Sequence, residues 1–305
     1  MNAYHIPALL EQSIEGLNIN PDGVYVDVTF GGGGHSRAIL NRLSNKGKLF
    51  AFDQDKEAFA NHIDDERFVF THGNFRYLYN FLRFYQVTEV DGIIADLGVS
   101  FHHFDSPERG FSFRFEGALD MRMNSQSDLT AEKVVNHYSE EKLADLFYRY
   151  GEIKAARRLA AMIVERRAHK PFETTHDLAE VLQQLFKSDR EKKEMAKAFQ
   201  ALRIEVNHEM DSLEDWLLQT PRLLKNEGRL VVITYHSLED RMVKNFMRSG
   251  NSEGNLEKDF FGRIQTPFSV ITGKPITPTD EEIAINPRSR SAKLRIAERI
   301  NKNDQ

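Results

Sequence analysis

A chain of 305 residues, 40% hydrophobic and 29% charged, carries enough apolar material for a sizeable core and suits about two domains, or one large α/β domain with an insertion. It contains no cysteine, which excludes disulfide scaffolds, cysteine–zinc sites, iron–sulfur ligation and a thiol nucleophile. Its net charge of -5 argues against a protein that coats nucleic acid indiscriminately, although a local basic groove is still allowed.

The first residues show no basic leader followed by an apolar run, and no apolar stretch is long enough to cross a bilayer. The expectation is a cytoplasmic protein without a membrane partner. Val24–Thr29, Lys48–Asp53, Arg67–Thr71 and Asp91–Asp96 are apolar runs of strand length, separated by the helix-length segments Ser36–Leu43, Lys56–Ile63 and Phe75–Tyr85. This alternation predicts βαβ units and a parallel sheet covered on both faces. After Asp96 the pattern breaks. Ser106–Met123 reads as a loop, and Thr130–Leu224 as almost wholly helical, with starts signalled at Ser139, at Thr174 and at Asp211 with Glu214. A strand resumes at Gly228–Tyr235, a helix follows at Leu238–Met247, then a loop-rich region to Asn286 and a last strand-like stretch, Ala292–Ile300. The pattern predicts an α/β domain formed by residues 1–105 and 211–305, carrying an inserted helical domain at 106–210.

Four consecutive glycines, Gly31–Gly34, lie between the first strand and the first helix of this pattern. Glycine lets a ligand approach the backbone closely, and a helix start offers unpaired N–H groups. A phosphate loop needs a lysine after its last glycine, and His35-Ser36 supplies none. A dinucleotide fold needs a spaced glycine pattern and an acid some twenty residues on; Asp53 meets only the second condition. S-adenosyl-L-methionine fits better, because Asp27 and Asp96 are placed to face its ammonium and sulfonium, and Asp53 its ribose diol. Four glycines alone also read as a tight turn. Joined to three acids at strand ends, they read as a site.

Further motifs extend along the chain: His5-Ile-Pro-Ala-Leu-Leu10, Asp91–Ser100, Arg109-Gly-Phe-Ser-Phe113, Leu119-Asp-Met-Arg-Met123, Tyr150-Gly-Glu152, Phe199–Ile204, His236-Ser-Leu-Glu-Asp-Arg241 and Asn286–Arg295. With these motifs the chain resembles the MraW (RsmH) family of bacterial methyltransferases, which modify cytosine N4 in small-subunit ribosomal RNA. The resemblance implies a Rossmann-like class I methyltransferase domain with an inserted all-helical domain. It implies S-adenosylmethionine contacts at Gly33, Gly34, His35, Asp53, Phe75 and Asp96. His103 stands where the family has a glutamine, a departure that bears on that contact alone. The implied target is a cytosine in the decoding region of 16S rRNA, in the assembled small ribosomal subunit.

The cytosine amine is a poor nucleophile, since its lone pair is delocalised into the ring, so alignment must supply much of the acceleration. Asp96 is the expected hydrogen-bond acceptor that orients the amine or the nearby cofactor end. His236, with an ordinary imidazole pKa near about 6.5, is a candidate proton acceptor; the bland alternative is that it caps the strand–helix turn. The target base must leave its stack, and Phe101, Phe111, Phe113 and Tyr235 are candidate walls for it. Lys154, Arg157, Arg158, Arg166, Arg167 and Lys170 read as a solvated helix face, and Arg288, Arg290, Lys293 and Arg295 as phosphate contacts. The histidines show no metal-ligand spacing, so no metal is expected. Two other functions compete: an NAD-dependent oxidoreductase, from the loop and Asp53 alone, and a non-catalytic RNA-binding assembly factor with a vestigial pocket.

Overall fold

Nearly continuous apolar runs form strands here because both faces of the sheet are covered. In β4 (Val90–Asp96), Ile93 and Ile94 are fully buried on opposite faces, each in its own core cluster. A computed structural model describes residues 7–98, 106–186 and 191–301. The chain forms two compact units, Met1–Gly98 with Met210–Gln305, and Val99–Glu209. The sequence placed these boundaries after residues 105 and 210.

The first unit holds a seven-stranded sheet in the order β3-β2-β1-β4-β5-β7-β6. Its strands are β1 (Val24–Asp27), β2 (Lys48–Asp53), β3 (Phe68–His72), β4, β5 (Leu224–Thr234), β6 (Phe268–Val270) and β7 (Lys293–Arg299). The first five run parallel, and β7 pairs antiparallel with both β5 and β6. This is the Rossmann-like class I methyltransferase order that the resemblance implied. Strand order reverses between β1 and β4, so the carboxyl ends of these two strands flank the crevice where open α/β sheets take ligands. One face packs Phe52, Trp216 and Phe246; the other packs Tyr25, Leu49 and Ile296. Each large apolar side chain so buried contributes about 1.5–3 kcal/mol to stability before entropy is subtracted.

Several elements differ from expectation. A helix, α1 (Leu10–Gly16), precedes β1, and α2 (Gly34–Leu40) begins within the glycine run. Lys56–Asn61 and Phe75–Tyr77 are 3-10 turns, the second leading into α3 (Leu78–Phe84). β5 starts at Leu224, inside the stretch read as helical, and β6 lies inside the stretch read as loop.

The second unit contains α4 (Ala131–His137), α5 (Glu140–Arg149), α6 (Ala156–His169), α7 (Thr175–Leu185) and α8 (Glu191–Asn207) around one apolar cluster. Two of the expected caps form. Ser139 Oγ accepts the Lys142 N–H at 3.3 Å, and Thr174 Oγ1 accepts that of Asp177 at 3.2 Å while Asp177 accepts the Thr174 N–H. Asp211 is not a cap, because α9 (Glu209–Leu217) begins two residues before it; the short α10 (Thr220–Leu223) follows.

The Leu119–Met123 motif is structural in this unit. Met121 adopts a positive φ of 61°, and the Asn207 side chain holds it by accepting the Met123 N–H at 2.7 Å and donating to the Met121 carbonyl at 2.8 Å. Arg122 pairs with Asp120 at 2.7 Å, and Arg109 donates to the Arg122 carbonyl at 2.9 Å. Gly110 lies so close to Ala118 that an added Cβ would stand 2.1 Å from its carbonyl oxygen.

Candidate active site

Asp27, Asp53 and Asp96 are the last residues of β1, β2 and β4, three strands adjacent in the order β2-β1-β4, so the carboxylates stand side by side at one edge of the sheet. Asp27 is wholly buried. It accepts the Ser36 hydroxyl at 2.7 Å and the Thr29 N–H at 3.1 Å. Burial pushes its pKa up to about 6, with the Asp53 charge adding to the rise and the two hydrogen bonds working against it.

Asp96 accepts the Tyr235 hydroxyl at 2.8 Å, and its backbone N–H donates to Thr29 Oγ1 at 2.6 Å. Burial is the main cause that raises its pKa to about 7; the charges of Asp27 and Glu239 add to this, and the Tyr235 bond opposes it. The side chain keeps 22% of its surface, so a ligand can reach the carboxylate. His35 Nδ1 lies 3.8 Å from Asp96 Oδ2, yet burial lowers the imidazole pKa to about 4, and the ring is neutral at pH 7. His35 Nε2 is buried without a hydrogen-bond partner among the described residues. Among those residues no lysine or arginine pairs with Asp27 or Asp96. Two buried acids with raised pKa values, without a lysine or arginine partner among the described residues, favour a positively charged ligand.

The glycines differ in their use. Gly33, at a φ of 75°, is the residue before α2, and an added Cβ would stand 2.9 Å from the Phe30 ring. At Gly34 a Cβ would stand 2.2 Å from Pro7, so this glycine makes room for the protein's own chain. At Gly32 it would meet nothing within 4 Å. The positions where a side chain would meet open space or only a distant atom are Gly31 and Gly32, beside Asp53, which accepts the N–H groups of Gly31 and Asp55 at 2.8 Å each. A carboxylate held this way at a strand end retains lone pairs for a diol.

Phe75 follows β3 at the same edge and packs edge-on against Trp216, ring centroids 5.7 Å apart. His236 follows β5 and caps α11 (Ser237–Ser249): Nδ1 accepts the Glu239 N–H at 3.4 Å, and the Glu239 carboxylate takes the N–H groups of Tyr235 and His236. His236 Nε2 stands 3.1 Å from Glu239 Oε1 without hydrogen-bond alignment. His103 and Phe101 lie outside the described residues.

The other expected aromatic walls have different partners. Phe111 is buried in the helical core and Phe113 packs edge-on against Phe199 at 5.5 Å, so both are core anchors. Tyr235 is the hydroxyl donor to Asp96, a role its position after an apolar strand did not reveal. Thr29 and Ser36 were also missed; a hydroxyl two residues past a strand-end acid is the signal that points to the first. Within the expected phosphate cluster, Arg295 and Lys293 pair with Asp240 at 2.7 and 3.2 Å. On α6, Arg166 pairs with Asp177 at 2.7 Å and Arg167 donates to the Val135 carbonyl.

The description of the MraW methylase family matches residues 2–300. The ribosomal RNA small subunit methyltransferase H of Bacteroides fragilis is 60% identical over 296 residues, 97% of each chain. The protein of that name from Parabacteroides distasonis is 58% identical over 300 residues, 98% of each chain. A solved rRNA methylase structure from Streptococcus thermophilus aligns over 97% of this chain and 99% of its own, at 14% identity and a TM-score of 0.40, and adds nothing to the topology described above.

Proposed function

We propose that this chain, which belongs to the MraW methylase family, transfers a methyl group from S-adenosylmethionine to N4 of a cytosine in the decoding region of 16S rRNA, within the small ribosomal subunit. The observation that carries the reading is the pair Asp27 and Asp96, raised in pKa, without a lysine or arginine partner among the described residues, at the point where strand order reverses. A nicotinamide dinucleotide fits poorly, because its pyrophosphate would meet these acids. The names of the relatives support small-subunit rRNA as substrate.

When bound, S-adenosylmethionine supplies an electrophilic methyl group on a sulfonium. Asp53 is positioned to accept from the ribose diol, and Gly31 and Gly32 leave the backbone open beside it. Asp96 orients the amine through a hydrogen bond and takes the proton that N4 gives up, a task suited to a carboxyl with a pKa of about 7. Tyr235 fixes the Asp96 rotamer from the end of the neighbouring strand. His236, with Nδ1 engaged by Glu239, holds the start of α11 and so the backbone next to Tyr235. We assign it a positioning role.

The test is to incubate labelled methyl donor with undermodified small subunits and with naked 16S rRNA, then map the label. The expected result is methylation at N4 of a decoding-region cytosine in the subunits. Label on another atom or another RNA, or no transfer at all, would overturn the reading.

A further inference from the structure

Away from the sheet edge, a cavity of about 270 Å³ opens between α3 and the segment from Leu218 to Arg222, lined by Arg76, Tyr77, Tyr79, Asn80, Leu218 and Arg222 together with Gln219. It is preformed. Gln219 ties its two walls together: its carbonyl oxygen accepts the Tyr79 N–H at 2.8 Å, and its amide donates to the Arg76 carbonyl at 2.7 Å and the Asp215 carbonyl at 2.6 Å.

Charge collects here against the acidic total. The Arg222 guanidinium lies 4.2 Å over the Tyr79 ring, and that of Arg83 lies 5.8 Å from the same ring. The Arg76 guanidinium lies 5.7 Å from the Tyr77 ring and pairs with Asp215. Arg83 and Arg222 are exposed, and neither has a carboxylate partner among the described residues. Arg76 and Arg222 line the cavity and Arg83 lies beside its Tyr79 wall, so like charges stand close together and a bound anion lowers their mutual repulsion. A guanidinium stacked on an aromatic face keeps its in-plane N–H groups for an oxyanion. Tyr77 adds a ring that is 52% exposed.

We infer that this cavity binds the substrate RNA strand outside the reaction centre, Arg83 and Arg222 holding a backbone phosphate while an unpaired base stacks on Tyr77. The inference rests on the RNA substrate proposed above. Phosphate beside an aromatic platform is the chemistry by which proteins hold single strands without reading sequence. Arginine supplies the anion contact and tyrosine the base contact, so the two parts are separable by experiment.

The probe is a fluorescently labelled single-stranded RNA oligonucleotide spanning the methylated site, titrated with protein at several salt concentrations. The double variant Arg83→Gln/Arg222→Gln should reduce the slope of log affinity against log salt by roughly 0.7, and weaken binding roughly fivefold at about 0.1 M salt. Tyr77→Ala should weaken binding by about fivefold or more with the slope unchanged. Heat of methyl-donor binding should be the same in all three proteins. Unaltered slope and affinity in the arginine variant overturn the inference. So does equally tight binding of a nucleoside monophosphate, which marks a free-nucleotide site, or selective loss of a glutamate-rich peptide with RNA affinity unmoved, which marks a protein-docking site. A wild-type protein that takes up the donor yet shows no salt-dependent RNA affinity overturns the RNA reading itself.

Discussion

At Asp96 the protein keeps a carboxyl group in surroundings that favour its neutral form. The sign of the consequence follows from linkage. The folded pKa of about 7 lies above the ordinary 3.8, so the folded chain binds a proton that the unfolded chain has released, and this group makes stability fall as pH rises from about 4 to about 7. Asp96→Asn should therefore stabilise the ligand-free protein increasingly across that range and level off above it, by at most ~4 kcal/mol, as measured by denaturant titration at several pH values. On the mechanism proposed above, the same variant should lose turnover by about a hundredfold or more, since the proposed proton acceptor is gone. In the wild type kcat/KM should rise with pH through about 7. Tyr235→Phe removes the bond that holds the Asp96 pKa down, so the rising limb should move to higher pH while the plateau is retained. His236→Gln keeps a side-chain acceptor for the Glu239 N–H and should leave kcat within about twofold; His236→Ala should cost about 1 kcal/mol of stability through the lost cap. A folded His236→Gln protein without turnover would return the histidine to the proton transfer.

At the scale of elements, the glycine run separates packing from ligand approach. Gly34→Ala should cost about 1–3 kcal/mol, because its Cβ collides with Pro7, whereas Gly32→Ala should change stability by less than about 0.5 kcal/mol and act on donor affinity. Chemical denaturation and calorimetric donor binding measure the two effects separately. The carboxylates at the ends of β1, β2 and β4 were legible in the sequence because an acid closing an apolar run marks a strand end. The partners of Asp96 were not, since Thr29 and Tyr235 reach it only once β1 and β5 flank β4. β6 has three residues, of which only Phe268 is buried, too few to show a period. Lys225, Asn226, Glu227 and Gly228 break the apolar run of β5 and concealed its start, where the register with β4 shifts. The Asp211 cap failed because its Asp–x–x–Glu spacing recurs inside a helix as readily as at its start, and His208, with a φ of 49°, ends the preceding helix earlier.

At the scale of the whole molecule, the sheet unit has an apolar cluster on each face and the helical unit has its own, which draws all its members from within Val99–Glu209. A fragment of residues 99–209 should accordingly fold alone, with helical circular dichroism and a cooperative thermal transition; a featureless melt would show that it depends on the rest of the chain. The net charge of -5 concealed the local excess of arginine beside α3, since a composition total carries no positions. One feature of the sheet also sets an order in time. Asp96 and Ile233 are paired in register although the whole helical unit separates them in the chain, and β7, which closes the β5 edge, comes last. A helical unit that folds alone would leave the ribosome finished while β4 still waits for its neighbour. The proposed donor crevice is assembled only as β5 and Tyr235 emerge, and until the final strand arrives the nascent β5 edge is open to pairing with another chain.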